Sequence, residues 1–262
     1  MKQLAENIGK STVAGVTEVG LAAVLFFESL IWLVTGRSQR QQVRWSAILA
    51  QAVEIGIHAL PIVTVLNFAI GAMVAIQGIH TLRIFGAESQ VTLGVALSVT
   101  REFAPLITGI LVAGRSGSAL AARLGTMKIN EEVNALTVMG INPVRYLVSP
   151  ALVAMLLMVP MLTWYADVVA LLGAGVYITL DLGMSMTAYL MELRAVCSVD
   201  DVLHGIGKSV LFAVLITLIG VINGIGVTGG AEGIGRATTR SVVHAISAIV
   251  ITDMLFAFVM TR

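Results

Sequence analysis

Residues 147–180 read LVSPALVAMLLMVPMLTWYADVVALLGAGVYITL, and this stretch decides the fold class of the chain. Asp167 is its only charged residue. A helix needs about 20 mostly apolar residues to cross a bilayer, and this stretch is longer than that. Stretches of similar character lie at 55–80, 91–114, 202–222 and 238–259. We therefore predict an all-α integral membrane protein with five transmembrane helices.

The composition of the whole chain agrees with this prediction. Of 262 residues, 57% are apolar and 12% are charged, about half the usual charged share of roughly 25%, and the mean hydropathy is +0.94. So few polar residues cannot cover a water-facing surface, which excludes an ordinary soluble domain and a disordered chain. The net charge of +1 gives no sign of a nucleic-acid partner. Cys197 is the only cysteine, so we expect neither an internal disulfide nor a cysteine metal site.

A further apolar stretch, 12–35, allows two interpretations. It carries the carboxylates Glu18 and Glu28 together with an aromatic cluster, which suits a helix lying at the membrane interface. A sixth transmembrane span is the competing interpretation. We adopt the interfacial helix, which divides the chain into an N-terminal segment at 1–50 and a five-span domain at 51–262.

The basic residues predict the orientation of the helices, because cytoplasmic segments carry an excess of lysine and arginine. With five spans and a cytoplasmic N-terminus, eleven basic residues fall on the cytoplasmic side and three on the outer side. The eleven are Lys2, Lys10, Arg37, Arg40, Arg44, Arg115, Arg123, Lys128, Arg145, Arg236 and Arg240, and the three are Arg83, Arg194 and Arg262. We therefore expect a cytoplasmic N-terminus and a C-terminus on the opposite side.

The longest polar segment lies on the cytoplasmic side in this topology. Within it, residues 128–139 are predicted to form a short helix that Gly140-Ile-Asn-Pro143 terminates. Asn130 is placed to cap this helix, and Glu131 and Glu132 fall in its first turn, where the helix dipole favours acidic residues. The pattern fits equally a helix that docks on a soluble partner and an amphipathic connector on the membrane surface.

Ionisable residues within the predicted spans are costly there and face the protein interior or a wet cavity. Lys208 and Asp253 share a depth of roughly 9 Å below the outer surface, so they are predicted to pair. Arg101 and Glu102 lie near the middle of the second span, and because adjacent helical residues point about 100° apart, we expect them to face different neighbours. We interpret these four residues as the polar rim of a substrate cavity for an anionic head group, against the alternative of structural ion bridges. Asp167 is a fifth charge within a span.

Two motifs resemble nucleotide-binding signatures but lack the required context. Gly224-Ile-Gly226-Val-Thr-Gly229 matches G-x-G-x-x-G, yet it follows a membrane span instead of a strand. Gly207-Lys208-Ser209 resembles the end of a P-loop, yet Val202 stands where its first glycine is required. We therefore expect the chain to bind no nucleotide. The scattered histidines form no i, i+4 pair, and no metal site is expected at His58, His80, His204 or His244.

Small residues recur at spacings that allow close helix contacts. Gly71-x-x-x-Ala75 has the period of the GxxxG motif, and Gly114-x-x-Gly117 is a related pair. These positions suit a tight interface within one subunit or between subunits.

A set of short motifs runs along the chain in a specific order and spacing. They are Leu60-Pro-Ile-Val63 with Ala75-Ile-Gln-Gly78, Ala87-Glu88 with Val95-Ala-Leu-Ser98, Arg101-Glu102-x-x-Pro105, Ala113-Gly-Arg-Ser-Gly-Ser-Ala119, Gly125-Thr-Met-Lys-Ile-Asn-Glu131 with Met139-Gly-Ile-Asn-Pro143, and Arg236-Ala-Thr-Thr-Arg240 with Asp253. Each motif is weak alone, but together they are specific. From about residue 51 to 253 the chain resembles the MlaE (YrbE-like) family, the permease subunits of ABC transporters that work with MCE proteins.

The resemblance implies a homodimer of permease subunits, each with five spans after an N-terminal interfacial helix, in the bacterial inner membrane. The chain itself would be no enzyme and would bind no cofactor, since a separate cytoplasmic ABC ATPase (MlaF-like) uses the ATP. The resemblance further implies a STAS-domain protein (MlaB-like) and a hexameric periplasmic MCE protein (MlaD-like) as partners. The implied substrate is phospholipid, moved between the inner membrane and the MCE protein.

Roles for individual residues follow from the same resemblance. The implied lipid cavity includes Arg101, Glu102, Lys208, Asp253, Gln77 and Ile79, and the implied ATPase-coupling segment includes Lys128, Asn130, Glu131, Glu132 and Met139. The sequence departs from better-known members after Gln77-Gly78, where a tyrosine is frequent, and at Arg123, where glutamate is common. These departures predict a paralogous system with its own ATPase and MCE partner.

Two other functions are compatible with the same residues. A proton-coupled secondary transporter would use Arg101 with Glu102 and Lys208 with Asp253 as relay pairs. A non-transporting scaffold would hold an MCE ring in the membrane. Dependence on a proton gradient would favour the first alternative, and full function without an active ATPase would favour the second.

Overall fold

The computed structural model describes residues 2–35 and 43–260, and for residues 2–12 and 14 only the helical backbone. Within these ranges the chain forms α-helices joined by short turns and no strand, which confirms the predicted all-α fold. The helices are α1 (Lys2–Thr35), α2 (Trp45–Ile55), α3 (Leu60–Ile84), α4 (Val91–Ser98), α5 (Ala104–Val112), α6 (Ser118–Ile129), α7 (Glu132–Val138), α8 (Ser149–Leu182), α9 (Met186–Val196), α10 (Val199–Ile225) and α11 (Gly230–Met260). Of the basic residues used to predict the orientation, Arg37, Arg40, Arg262 and the side chains of Lys2 and Lys10 lie outside this description.

Among the described residues, six helical stretches are long and apolar enough to cross a membrane. By length and composition they are Gly15–Thr35, Trp45–Ile84, Glu88–Ile129, Val144–Leu182, Val199–Ile225 and Gly230–Met260. All five predicted spans lie within these stretches. The helix that contains the predicted span 91–114 continues beyond residue 114, because a π-helical turn at Ala113–Gly117 carries it on into α6. A single glycine weakens a helix by only about 1 kcal/mol, so Gly114 does not end it.

Both carboxylates of the apolar stretch 12–35, which lies within α1, have partners. The amide nitrogen Nδ2 of Asn142 donates a hydrogen bond to Oε1 of Glu28 over 2.9 Å, and Nη2 of Arg240 lies 3.6 Å from Oε1 of Glu18. These contacts reduce the cost of placing the two acids in an apolar environment. Residues 15–35 qualify as a span by length and composition, and their placement at the interface stays a prediction.

The chain divides into two compact units, each made of three separate segments. The first unit comprises 1–51, 115–154 and 215–245, and the second comprises 52–114, 155–214 and 246–262. These units do not test the predicted division into an N-terminal segment at 1–50 and a five-span domain at 51–262, which stays a prediction.

In the first unit, α6 packs closely against the end of α10 and the turn that follows it, because glycines lie at the contact. A Cβ atom added to Gly224 would lie 2.8 Å from the carbonyl oxygen of Ala121, and one added to Gly125 would lie 2.8 Å from Cγ2 of Val227. Gly224, the first glycine of the G-x-G-x-x-G motif, therefore serves helix packing. The motif begins at the end of α10, so a helix stands where a dinucleotide fold requires a strand.

In the second unit, α3 and α8 meet backbone to backbone. A Cβ atom added to Gly71 would lie 1.8 Å from the carbonyl oxygen of Ala170, and one added to Gly173 would lie 2.2 Å from that of Phe68. Near the start of α3, the hydroxyl oxygen of Thr64 lies 2.7 Å from that of Tyr165. The small residue predicted at position 71 for a tight interface thus makes one within the subunit.

The short helix predicted at 128–139 is shorter and begins later. Helix α6 runs to Ile129, so Lys128 lies in its last turn, and α7 covers only Glu132–Val138. The prediction that Asn130 caps the short helix is wrong: Asn130 ends α6, and the residue before α7 is Glu131, whose φ of 60° is left-handed. The helical path is interrupted at Glu131, and a left-handed residue permits this break where a continuous helix does not.

Candidate functional site

Lys208 is a cation with no exposed surface, held between two carboxylates in the second unit. Its Nζ atom lies 2.6 Å from Oε2 of Glu102 and 3.0 Å from Oδ1 of Asp253. The ring of Phe256 lies beneath it, with its centroid 5.9 Å from Nζ. This geometry confirms the predicted pairing of Lys208 with Asp253 and adds Glu102 as the second partner.

The two carboxylates differ in their access to the surroundings. The side chain of Asp253 is 12% exposed, whereas that of Glu102 is 41% exposed. Lys208 therefore has one buried carboxylate partner, Asp253, and one partner, Glu102, that remains partly accessible. A ligand that displaces Glu102 would reach a cation whose remaining partner is already in place.

Arg101 makes a separate ion pair, with Asp201. Nη2 and Nε of Arg101 lie 2.5 and 2.6 Å from Oδ1 of Asp201. Because Asp201 and Lys208 both belong to α10, the prediction that Arg101 and Glu102 face different neighbours is wrong. Asp201 and Lys208 are seven residues apart, so they lie about two turns apart on the same face of α10. The long side chain of Arg101 reaches Asp201, and that of Glu102 reaches Lys208.

Asp201 is a buried residue of this site that the sequence analysis did not identify. Its carboxylate accepts hydrogen bonds from the backbone nitrogen of Ser198 over 2.9 Å and from the Ser198 hydroxyl over 2.7 Å. In return, the Ser198 hydroxyl oxygen accepts from the backbone nitrogen of Asp201 over 3.2 Å. This reciprocal arrangement is a capping box at the start of α10, so the Ser-x-x-Asp spacing was the signal that could have identified it.

A π-helical turn at Val99–Phe103 presents Arg101 and Glu102 to α10. Pro105 follows it at the start of α5 and has no backbone N–H to bond the carbonyl of Arg101, which disfavours a regular α-helix here. At the same place α10 approaches closely, since a Cβ atom on Gly205 would lie 2.2 Å from the carbonyl oxygen of Thr100. Turns of this kind inside α-helices are frequent at functional sites.

Gln77 and Ile79, the other two predicted cavity residues, line a separate cavity of about 320 Å³ in the second unit. Arg83 dominates its polar side, with Nη2 2.6 Å from Oδ2 of Asp181. His80 and Tyr177 complete the polar lining. The lining residues of this cavity do not include the Lys208 cluster, so a role of Gln77 and Ile79 in the same site stays a prediction.

Asp167 lies buried in α8 without a hydrogen-bond partner among the described residues. Asp167 is 3% exposed, and no donor among the described residues lies within hydrogen-bond distance of either carboxylate oxygen. A charged carboxylate at this place would be uncompensated. The structure thus separates Asp167 from the ion-paired cluster around Lys208.

The predicted coupling segment forms an exposed tip in the first unit. Val138 is 88% and Met139 is 64% exposed, whereas Leu136 is buried beneath them. Asn130 donates to the Glu132 carboxylate over 3.2 Å, and Asn134 donates to that of Glu131. The structure therefore places an apolar tip beside hydrogen-bonded acids, and Val138, which the sequence analysis did not single out, is the more exposed of its two apolar side chains.

Comparisons with known proteins agree with the resemblance seen in the sequence. The family described as Permease MlaE matches residues 48–259. A probable ABC transporter permease of Rickettsia typhi is 34% identical over 258 residues, which is 97% of this chain and 98% of the relative. The intermembrane phospholipid transport system permease protein MlaE of Haemophilus influenzae is 31% identical over 254 residues, 97% of this chain and 95% of the relative. The chain therefore belongs to the MlaE permease family.

Proposed function

We propose that the chain is the permease subunit of an ATP-driven transporter that moves phospholipids between a bacterial inner membrane and a periplasmic MCE protein. Membership in the MlaE permease family supports the permease role, and the Haemophilus influenzae relative carries phospholipid transport in its name. A relative is named as a probable ABC transporter permease, which supports the view that a separate ATPase subunit hydrolyses the ATP. The chain itself is not an enzyme and needs no cofactor of its own.

The observation that carries the proposal is the buried Lys208 with its half-exposed partner Glu102. A buried cation inside an apolar helix is costly and is typical of a functional site in membrane proteins. A phospholipid head group supplies a phosphate that can bind Lys208 in place of Glu102. In a zwitterionic head group, the amine can then bind the released Glu102 carboxylate. The cluster thus offers complementary charges for the two ends of one head group.

The exposed tip formed by Val138 and Met139 is proposed to bind the partner ATPase. Apolar side chains flanked by acidic residues resemble the core and rim of a protein interface. Lys128, Asn130, Glu131, Glu132 and Met139 would form this contact together with Val138. With a cytoplasmic N-terminus, the tip lies on the side where an ATPase has access to ATP.

The assembly around the chain follows from the same proposal. Two copies form a homodimer, and their N-termini lie in the cytoplasm and their C-termini in the periplasm. Helix α11 presents exposed apolar side chains, among them Met254, Leu255 and Phe258, and this face is available to lipid or to the second copy. A STAS-domain protein and a hexameric MCE protein complete the proposed complex.

The test is purification of the tagged chain from its native membrane in mild detergent, with mass spectrometry of the proteins and lipids that accompany it. We expect an ABC ATPase, an MCE protein and enriched phospholipid. Proteoliposomes containing the complex should transfer phospholipid to the MCE protein only with hydrolysable ATP. Transfer driven by a proton gradient without an ATPase would contradict the proposal, and so would normal function with a catalytically inactive ATPase.

A further inference from the structure

Three arginines converge on one cavity in the first unit, apart from the Lys208 cluster. Arg44, Arg123 and Arg145 line a cavity of about 290 Å³ whose other walls are mostly alanine, methionine, isoleucine, leucine and proline side chains. No carboxylate is among its lining residues. Three cations facing one small space repel each other unless an anion lies between them.

Two of these cations have no acidic partner in the described part of the chain. Arg44 and Arg123 are exposed and form no ion pair with a described carboxylate. Arg145 is held differently, since its guanidinium carbon lies 5.9 Å from the centroid of the Trp32 ring. The cavity therefore has one anchored arginine and two whose charges are not neutralised by any carboxylate that the structure describes.

The cavity lies where three helical stretches reach their ends. Arg44 directly precedes the stretch Trp45–Ile84, Arg123 lies in the last two turns of Glu88–Ile129, and Arg145 is the second residue of Val144–Leu182. About 20 residues are enough to cross the hydrocarbon core, so these longer stretches extend past it, and the arginines near their ends lie at or beyond the level of the lipid head groups. Trp45, which is 71% exposed, marks the same level, because tryptophan is enriched at the membrane interface.

We propose that this cavity binds the phosphate of a membrane glycerophospholipid. Guanidinium groups bind phosphate oxygens in paired, charge-assisted hydrogen bonds, and the apolar walls suit the glycerol and the first acyl carbons. Basic pockets between membrane helices are suited to anionic lipid head groups. A protein partner would require a protruding acidic side chain to enter between the chain's own helix ends, so the position and the walls favour lipid.

The site differs from the proposed transport site in residues and in location along the helices. It shares no residue with the Lys208 cluster, and it lies at helix ends instead of within a span. Lipid binding here does not require the lipid to be transported. The inference therefore stands or fails independently of the proposed function.

The test measures how much phosphatidylglycerol the purified chain retains. The protein is reconstituted into nanodiscs of phosphatidylcholine with phosphatidylglycerol as a minor component, released into detergent and weighed by native mass spectrometry. We expect wild type to retain phosphatidylglycerol preferentially. Removing two basic side chains with the double variant Arg44→Gln and Arg123→Gln should weaken this retention roughly thirtyfold, from about 1 kcal/mol for each basic residue.

The controls separate the alternatives. Arg194→Gln removes an exposed arginine of α9 and should leave retention unchanged, and the double variant Arg44→Lys and Arg123→Lys should keep most of it. A Gln double variant that melts like wild type and still retains phosphatidylglycerol would overturn the proposal. Displacement of the lipid by millimolar inorganic phosphate would also overturn the proposal, because it would indicate a site for a free anion. The same holds if the Gln double variant loses a co-purifying protein but retains the lipid. Glu102→Gln should retain this lipid even where it stops transfer.

Discussion

Lys208 and Glu102 form an ion pair in which the cation has no exposed surface and the carboxylate is 41% exposed, with Nζ and Oε2 2.6 Å apart. The two residues lie 106 positions apart in the chain. Because the two side chains differ in exposure, loss of Lys208 and loss of Glu102 have different consequences. Loss of Lys208 leaves a carboxylate inside the protein without a cation, whereas Glu102 can turn towards its surroundings.

Lys208→Met should therefore destabilise the folded chain strongly. Removing one partner of a buried ion pair costs about 3–5 kcal/mol, because the other charge is left uncompensated. Adding Asp253→Asn to Lys208→Met removes that charge and should recover a large part of the loss. Thermal unfolding in detergent, followed for both variants, measures this effect. Equal melting temperatures of the single and the double variant would contradict the buried pairing.

Glu102→Gln should leave the fold intact and lower phospholipid transfer. The amide keeps the shape of the side chain but loses the charge that responds to a bound head group, and we expect at least a tenfold lower rate, a difference of about 1.4 kcal/mol. Glu232→Gln is the matched control, since Glu232 also pairs with an arginine, Arg236, but lies 3.5 Å from it on an exposed surface. An assembled complex in which Glu102→Gln transfers at the wild-type rate would remove Glu102 from the site.

Gly71→Ala should force α3 and α8 apart. The added Cβ atom would lie 1.8 Å from the carbonyl oxygen of Ala170, and overpacking of this kind costs typically 1–3 kcal/mol. Gly94→Ala is the matched control in the same unit, because nothing lies within 4 Å of its added Cβ atom and alanine favours a helix over glycine. Thermal unfolding should rank Gly71→Ala below wild type and Gly94→Ala at or above it.

Glu131→Arg should weaken binding of the partner ATPase by reversing a charge beside the exposed tip. Because Glu131 has a φ of 60°, a substitution here also changes the backbone cost, and Glu131→Gly separates the two effects. Glycine adopts this conformation without strain and should be as stable as wild type or more so. The measurement is the amount of ATPase that co-purifies with each variant. Equal recovery with wild type and Glu131→Arg would exclude the charge from the contact.

Asp167→Asn should be at least as stable as wild type. Neither carboxylate oxygen of this buried residue has a partner within the described residues, so loss of the negative charge removes an uncompensated group. Asp253→Asn serves as the comparison, because it takes away a partner 3.0 Å from Lys208 and should lower the melting temperature. A large loss of stability in Asp167→Asn would reveal a cation that holds the Asp167 carboxylate.

Depth arithmetic from the sequence predicted that Lys208 and Asp253 pair, and the structure confirms it. The same arithmetic could not predict that Glu102 lies nearer to Lys208 than Asp253 does. It treated the second span as a regular helix, whereas the π-helical turn at Val99–Phe103 changes the direction of its side chains. Asp201 was likewise missed, because its burial depends on the capping box with Ser198 and on Arg101 from a distant segment.

The fold class and the family were determined by the sequence alone. Apolar composition acts through every residue of a span, so the helices can be identified without knowledge of their neighbours, and the order of the family's motifs is a property of the linear chain. The tertiary structure decided which charges meet, where glycines bring helices together, and that Arg44, Arg123 and Arg145 share one cavity. These relationships join residues far apart in the chain, and local preferences carry no information about which distant side chains will be in contact.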